Sequence, residues 1–233
     1  MKHQYFGDVN DFRKYGLLRM LQRHTGLRLG VCWMLTSDDG RSDGKFTAYL
    51  HQPDRWRAYD PDLFDALAAC VPLGRNITHV QDRTLLPGAL FANAIVPDRA
   101  PERETYFGTV LHELKGTDLI FLDPDNGIEV PSRPVGRKES SKYTLWSEIS
   151  AFYQRGQSIL VYQHFRREKR SRFIAQMVAD IRQRTNALLV SCFLTSNVAF
   201  FLICQANHEA ILNAAIDHIA SDWQDQIRCW SGH

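Results

Sequence analysis

Hydrophobic positions in this chain fall into two patterns. Short unbroken apolar runs occupy 29–36, 119–122, 157–162, 187–195 and 199–205. Runs this short, without polar alternation, suit strands buried on both faces, as in a parallel sheet covered by helices. Between them the apolar residues recur every three or four positions, the spacing of a helix with one inward face. Phe12, Tyr15, Leu18 and Leu21 form one such face; Asp8 or Asn10 can cap that helix and Gly26 can stop it. Asp60-Pro61 opens a second helix through Leu63, Phe64, Leu67 and Ala68. Residues 102–114 form a third, with Tyr106, Val110, Leu111 and Leu114 inward, and 144–154 a fourth. A fifth starts in the basic run after His164 and reaches Arg184, with Phe173, Ile174, Met177, Val178 and Ile181 inward; a last helix covers 207–220. Ile77-Thr78-His79-Val80 reads as a short strand, and the proline-punctuated stretch 85–101 as irregular. Ser196-Asn197-Val198 separates the last two apolar runs, which predicts an antiparallel hairpin buried from Leu188 to Leu194 and from Phe200 to Ile203. Trp223 and Trp230 lie in a tail that can dock on the body.

Alternating strands and helices predict an α/β fold: a doubly wound, mostly parallel sheet, here closed by an antiparallel hairpin. With 233 residues, 44% hydrophobic, the chain suits one domain, with 1–28 as an N-terminal helical segment packed on it. A nucleotide-binding Rossmann fold without the hairpin is the competing arrangement.

Net charge is +2, too small for a global polyanion signal, so basic residues matter only where they cluster. They do so in Arg166-Arg167-Glu168-Lys169-Arg170-Ser171-Arg172. Arg166, Arg167, Lys169 and Arg170, with Lys142, are the candidate contacts to nucleic-acid phosphates. Five cysteines form no CxxC pair, and Cys32, Cys192 and Cys204 sit inside apolar runs. They read as reduced core residues of a cytoplasmic protein, not as a disulfide or zinc framework. No apolar stretch approaches the ~20 residues of a membrane span, and the first residues carry no signal-peptide core.

The candidate chemistry centres on Leu119-Ile120-Phe121-Leu122-Asp123-Pro124-Asp125-Asn126-Gly127. Proline and glycine force the chain out of the strand, so the acids stand at its carboxyl end, where open α/β sheets bind ligands. A plain tight turn explains Pro-Asp-Asn-Gly, but not Asp123 directly at the strand end. The strand over 157–162 ends likewise, in Gln163-His164-Phe165, placing His164 at the same edge. The first strand runs into Ser37-Asp38-Asp39-Gly40-Arg41-Ser42-Asp43-Gly44-Lys45. Its glycines let backbone approach a ligand, its acids can hold a ribose or a metal, and Lys45 can meet an anion. It matches neither the phosphate-loop nor the Gly-x-Gly-x-x-Gly pattern, and a mobile polar loop explains it equally. The basic stretch after Gly127, with Arg133, Arg137, Lys138 and Lys142, reads as a lid over the carboxyl end or as a solvated loop. For the polar helix start with Lys14, a cap with a solvated face is the plain alternative.

The opening Gly7-Asp8-Val9-Asn10-Asp11-Phe12-Arg13-Lys14-Tyr15-Gly16-Leu17-Leu18 resembles the N-terminus of the large-subunit ribosomal RNA adenine methyltransferase J family, which opens Gly-Asn-x-Ala-Asp-x-x-Lys-His. Residues 29–44 fall where that family has its first strand and glycine-bearing loop, 119–126 where it has Asp-Pro-Pro-Tyr, and 157–164 on its next strand. The similarity covers roughly two-thirds of the chain in order and spacing, with little identity. The chain is also similar to a group of bacterial proteins sharing Gly-Asp…Lys-Tyr-Gly-Leu-Leu and Asp-Pro-Asp-Asn-Gly, a resemblance that brings no activity. The first resemblance implies a class I methyltransferase-like (Rossmann-like) fold, whose sheets carry such a hairpin, and S-adenosylmethionine as cofactor. It implies Asp123 and Pro124 as acceptors for an exocyclic amine, with Asp125 and Asn126 standing where the family has proline and an aromatic. Base stacking worth ~1–3 kcal/mol then has to come from Phe165, Tyr143 or Tyr162.

Two chemistries follow. In the first, an adenosylmethionine-dependent methyltransferase acts on nucleic acid. Asp123, Pro124, Asp125, Asn126 and His164 form the catalytic set, and Asp38, Asp39, Gly40, Asp43 and Gly44 face the cofactor. Lys14 and Tyr15 line the site, as the matching N-terminal residues imply. In the second, a phosphodiesterase or nuclease binds Mg²⁺ through Asp123, Asp125 and Glu129, with Asp39 or Asp43 adding a ligand. Lys142 or Lys45 then stabilises phosphoryl charge and His164 moves a proton. A non-catalytic nucleic-acid-binding domain of the same fold is the third reading.

Overall fold

The computed structural model describes residues 1–38, 40 and 44–230. Strands β1 (Leu29–Cys32), β2 (Leu90–Ala92), β3 (Leu119–Leu122), β6 (Ser158–His164), β7 (Val190–Leu194), β8 (Val198–Ile203) and β9 (Arg228–Trp230) form one seven-stranded sheet, in the order β2-β1-β3-β6-β8-β7-β9. The pairs from β2 to β6 are parallel; β8 runs antiparallel to both β6 and β7, and β9 antiparallel to β7. A second, two-stranded sheet pairs β4 (Gly127–Ile128) with β5 (Tyr143–Thr144). The helices are α1 (Val9–Thr25), α2 (Pro53–Trp56), α3 (Pro61–Cys70), α4 (His79–Asp82), α5 (Ala100–Glu113), α6 (Trp146–Gln154), α7 (Arg170–Thr185) and α8 (Glu209–Asp222). The molecule is thus an α/β protein with a mixed, mostly parallel sheet, compatible with a Rossmann-like fold.

Strand alternation explains the layering. Leu119 and Phe121 face one side of the sheet, with Leu160, Phe200 and residues of α1, α3 and α8. Ile120 and Leu122 face the other, with Ile159, Val161, Phe201 and residues of α5, α6 and α7. Both faces are therefore covered, which is why the strands read as unbroken apolar runs. Trp223, at the end of α8, packs its ring on Gly16 of α1: a Cβ there would lie 2.1 Å from Trp223 Cη2. The docked tail continues into β9, where Trp230 pairs with Cys192.

Several local expectations change. Residues 77–80 form no strand; Ile77 and Val80, three apart, bury together on a helical turn. The irregular stretch 85–101 contains edge strand β2, too short for a periodicity to show. The hairpin forms, but β7 begins at Val190 and Leu188 is 77% exposed. Its turn reverses β8 into the gap between β6 and β7, and β9 takes the edge. The basic run enters α7 only in part: the helix starts at Arg170, so Arg166 to Lys169 precede it. Among the described residues no helix is long and apolar enough to cross a membrane.

Candidate functional site

The carboxyl ends of β3 and β6 open into a cavity of about 220 Å³. Asp123 leaves β3 and His164 ends β6, and both line it, with Pro124 and Asp125. The exit from β3 is fixed from the neighbouring strand. Gln163 Oε1 accepts from Ile128 N at 2.8 Å, while its Nε2 donates to Asn126 O at 3.2 Å and to His164 O at 2.8 Å. Gly127 makes this possible: its φ is +119°, and a Cβ would lie 2.3 Å from Gln163 Oε1. Asn126 N donates to Lys142 O at 2.9 Å. Asp123 is therefore no anchor for the turn.

Its carboxylate is held instead by α1. Asp8 caps that helix, accepting from Asn10 N, and so sets which residues of the first two turns face the sheet. Lys14 Nζ lies 2.7 Å from Asp123 Oδ2 and 2.7 Å from Asp11 Oδ1. Asp11 Oδ2 accepts from Tyr15 OH at 3.0 Å and from Gly7 N at 3.2 Å. Lys14 is 2% exposed and Asp11 4%, which rules out a solvated face at the helix start. The rings of Tyr15, Trp33 and Tyr162 surround the ammonium at 5.4–5.7 Å.

Beside this network, the Met1 amine lies 2.8 Å from Asp125 Oδ1 and donates to Met34 O at 3.1 Å and Asp123 O at 3.0 Å. Thr36 Oγ1 donates to the other Asp125 oxygen at 2.6 Å.

The charges do not balance evenly. Burial alone pushes the Lys14 ammonium down, but Asp11 and Asp123 outweigh it and hold its pKa above the usual lysine value. Burial raises Asp11 and Asp123, and the one ammonium they share offsets this only in part. For Asp125 the Met1 amine and the Thr36 hydroxyl overcome burial, so its carboxyl stays below the usual range. His164 is exposed, yet desolvation by the groups around it lowers its pKa, with Asp125 and Asp123 pulling the other way. The floor of the cavity is thus anionic, carrying Asp8, Asp11, Asp123 and Asp125 against Lys14 and the Met1 amine. Its walls include Tyr5, Phe46 and Tyr162. Such a surface suits a flat ligand rich in N–H donors.

Of the residues singled out in the sequence, Lys14, Gly44, Asp123, Pro124, Asp125 and His164 line this cavity. Tyr15 is buried behind it and acts through Asp11. Asn126 is a backbone link rather than a lining residue. Asp38 is exposed, with Oδ1 accepting from Gln4 N, and Gly40 is exposed away from the cavity. Asp39 and Asp43 lie outside the described residues.

The carboxylate trio for a metal is not assembled. Glu129 Oε1 accepts from Trp146 N at 2.7 Å, at the start of α6, while Asp123 and Asp125 are held by cations. Among the described residues no group of three His, Cys, Asp or Glu side chains could hold a metal ion.

The basic residues divide. Lys142 pairs with Glu139 at 2.7 Å and lines a different, neighbouring pocket with Asp98 and Lys138. The stretch carrying Arg133, Arg137 and Lys138 is tied to Asp98, which accepts from the backbone of Glu139 and Ser141. It does not cover the Asp123 cavity. Arg166, Arg167, Lys169 and Arg170 are exposed and follow directly after β6, whose last residue, His164, lines the cavity. Arg170 lies over Phe165 at 4.5 Å and reaches Ser196 O, one residue from the lining residue Asn197. Phe165 is thereby engaged, Tyr143 belongs to β5, and only Tyr162 of the three expected aromatics reaches the cavity.

Asp11 was readable in principle, because it precedes Lys14 by three positions on one helix. Met1, Tyr5, Phe46 and Asn197 carry no such signal. Compared with known proteins, the chain matches no family model and no curated protein.

Proposed function

We propose that this protein is an adenosylmethionine-dependent methyltransferase-like enzyme acting on nucleic acid. The observation that carries the reading is the Asp123 carboxylate, fixed by Lys14 at the carboxyl end of a central parallel strand, in a cavity with aromatic walls. Strand order supports it: an antiparallel strand, β8, sits between β6 and β7, as expected for the class I methyltransferase-like variant of this architecture.

The residues fit the implied cofactor at one point of chemistry. Met34 O, Asp123 O and the Asp125 carboxylate surround a primary ammonium, here that of Met1. An acceptor set of this kind would suit the amino group of adenosylmethionine in the place the Met1 amine holds here. When bound, that cofactor supplies an electrophilic methyl group on a sulfonium centre. Asp123 then accepts a hydrogen bond from the acceptor amine and aims its lone pair, and Lys14 keeps the carboxylate from turning. Alignment of this kind, rather than strong base catalysis, is what methyl transfer to a neutral amine needs. The anionic floor repels phosphate, so the nucleic-acid backbone runs outside the cavity along Arg166, Arg167 and Lys169.

One observation favours a second reading, a non-catalytic binding domain: Asn126, in the place of the family's aromatic, serves the backbone and not the cavity. Calorimetry with adenosylmethionine and with Mg²⁺, beside transfer of labelled methyl to RNA and DNA, separates the readings. Adenosylmethionine binding with label transfer is expected. Oligonucleotide binding without either supports the second reading, and Mg²⁺ binding alone returns the phosphodiesterase.

A further inference from the structure

Phe46 is 67% exposed, although it lines the same cavity as the buried Lys14 and Asp123. An exposed phenylalanine on a loose loop needs no explanation. This one is not loose. Its N–H donates to Asp8 Oδ2 at 2.9 Å, and its carbonyl accepts from Val9 N at 3.0 Å. Both partners belong to the capped start of α1. Two residues earlier, Gly44 has φ +73° and lies flat under the Tyr5 ring, where a Cβ would come within 2.1 Å of Tyr5 Cδ1. Arg75 reaches across to the carbonyl of Gly44 and, at 2.7 Å, to that of Phe6. The backbone around Phe46 is thus fastened to the element that positions Lys14, while the ring is left in solvent at the mouth. Across the same cavity stand Tyr162 and His164, edge to face at 5.2 Å and 82°.

We infer that Phe46 is a stacking platform and that the cavity receives one unpaired base of a single-stranded nucleic acid. This rests on the nucleic-acid part of the proposed function and names the substrate form. The size agrees: about 220 Å³ is below the ~300–1,000 Å³ of sites for drug-sized ligands, and leaves room for a one- or two-ring system beside the lining carboxylates. The charge agrees too. Carboxylates on the floor accept from ring amines, and the cations that would meet phosphate lie outside, after β6. A base inside a duplex cannot reach such a floor without leaving its stack. Phe46 is a positioning residue, because it offers a π face and no reacting atom.

The test is fluorescence anisotropy of an end-labelled single-stranded RNA of mixed sequence, and of the same RNA annealed to its complement, with the full chain. The wild type should bind the single strand more tightly. Phe46→Ala and Phe46→Leu should each weaken it by roughly 5- to 150-fold, the span of base–aromatic stacking. Phe46→Tyr should restore binding, and melting temperatures should not move, because the ring is exposed. Phe46→Leu keeps apolar area but has no π face, so equal binding by Phe46→Leu and wild type overturns the platform. Tighter binding of the duplex, or no binding of either RNA, overturns it as well. A Phe46-dependent single-strand affinity in a protein that never binds adenosylmethionine keeps the platform and removes the methyltransferase.

Discussion

Lys14 Nζ and Asp123 Oδ2 lie 2.7 Å apart, across 109 residues of chain. The pair joins the first helix to the carboxyl end of a central strand, and both side chains are almost wholly removed from water. A buried ion pair is weak evidence for stability, since desolvation offsets much of the attraction, but removing one partner is costly. Here Lys14 also serves Asp11, so it is the partner whose loss costs most.

Lys14→Met should therefore destabilise the fold by about 3–5 kcal/mol, because two buried carboxylates lose their common cation. Urea unfolding measures this. Lys14→Met combined with Asp11→Asn and Asp123→Asn should recover part of the loss; no recovery would mean that Lys14 matters through packing alone.

Asp123→Asn should behave differently. The amide oxygen still accepts from Lys14, and one costly buried charge disappears, so stability should change by about 1 kcal/mol or less. Adenosylmethionine binding should persist while methyl transfer drops about 10²- to 10³-fold, the cost of losing one charge-aligning group. A stable variant with undiminished transfer would remove Asp123 from the chemistry.

A second buried pair, Arg103 with Glu148 at 2.6 Å, joins α5 to the start of α6, where Glu148 also accepts from Leu145 N. Arg103→Met should cost about 3–5 kcal/mol, leaving a buried carboxylate behind. Arg57→Met, at the exposed pair with Asp65, should leave stability almost unchanged, because water screens that pair. Thermal melts of the two variants side by side check the contrast.

The rim cations should act through salt. Replacing Arg166, Arg167 or Lys169 by Ala should lower single-strand affinity and flatten its dependence on log salt by about 0.7 for each phosphate left without its cation. An unchanged slope across all three variants would place the phosphates elsewhere.

His164 carries a pH signature. Its folded pKa lies below the usual histidine value of 6.5, so the unfolded chain takes up the proton first as acid is added. Its contribution to stability is complete above about pH 6.5 and is lost as pH falls through the folded value. Asp11 and Asp123, with raised pKa values, work in the opposite sense in acid, because their protonation relieves a buried charge. The histidine share is therefore read as a difference: wild type minus His164→Gln, melted at steps between about pH 7 and pH 5. The gap should shrink toward acid; a gap that widens contradicts the sign.

The unbroken apolar runs were enough to place β1, β3, β6 and the β7–β8 hairpin, because strands buried on both faces need apolar residues at every position. Helical spacing likewise marked α1, α3, α5, α7 and α8, since one face of each must meet the sheet. Asp123 and His164 stood out as polar residues ending such runs, and so at one edge of a parallel sheet. Edge strand β2 did not show, because three residues held by backbone pairing leave no pattern in side chains. The partner of Asp123 did not show either. An ion pair between positions 14 and 123 depends on how α1 lies against the sheet, which the packing of Gly16 on Trp223 helps to fix. The exposed ring of Phe46 became informative only once its backbone was seen fastened to Asp8 and Val9. Local order was legible because burial writes itself into composition at each position. The site required the fold, because its contacts join segments that meet only when the chain has closed around its core.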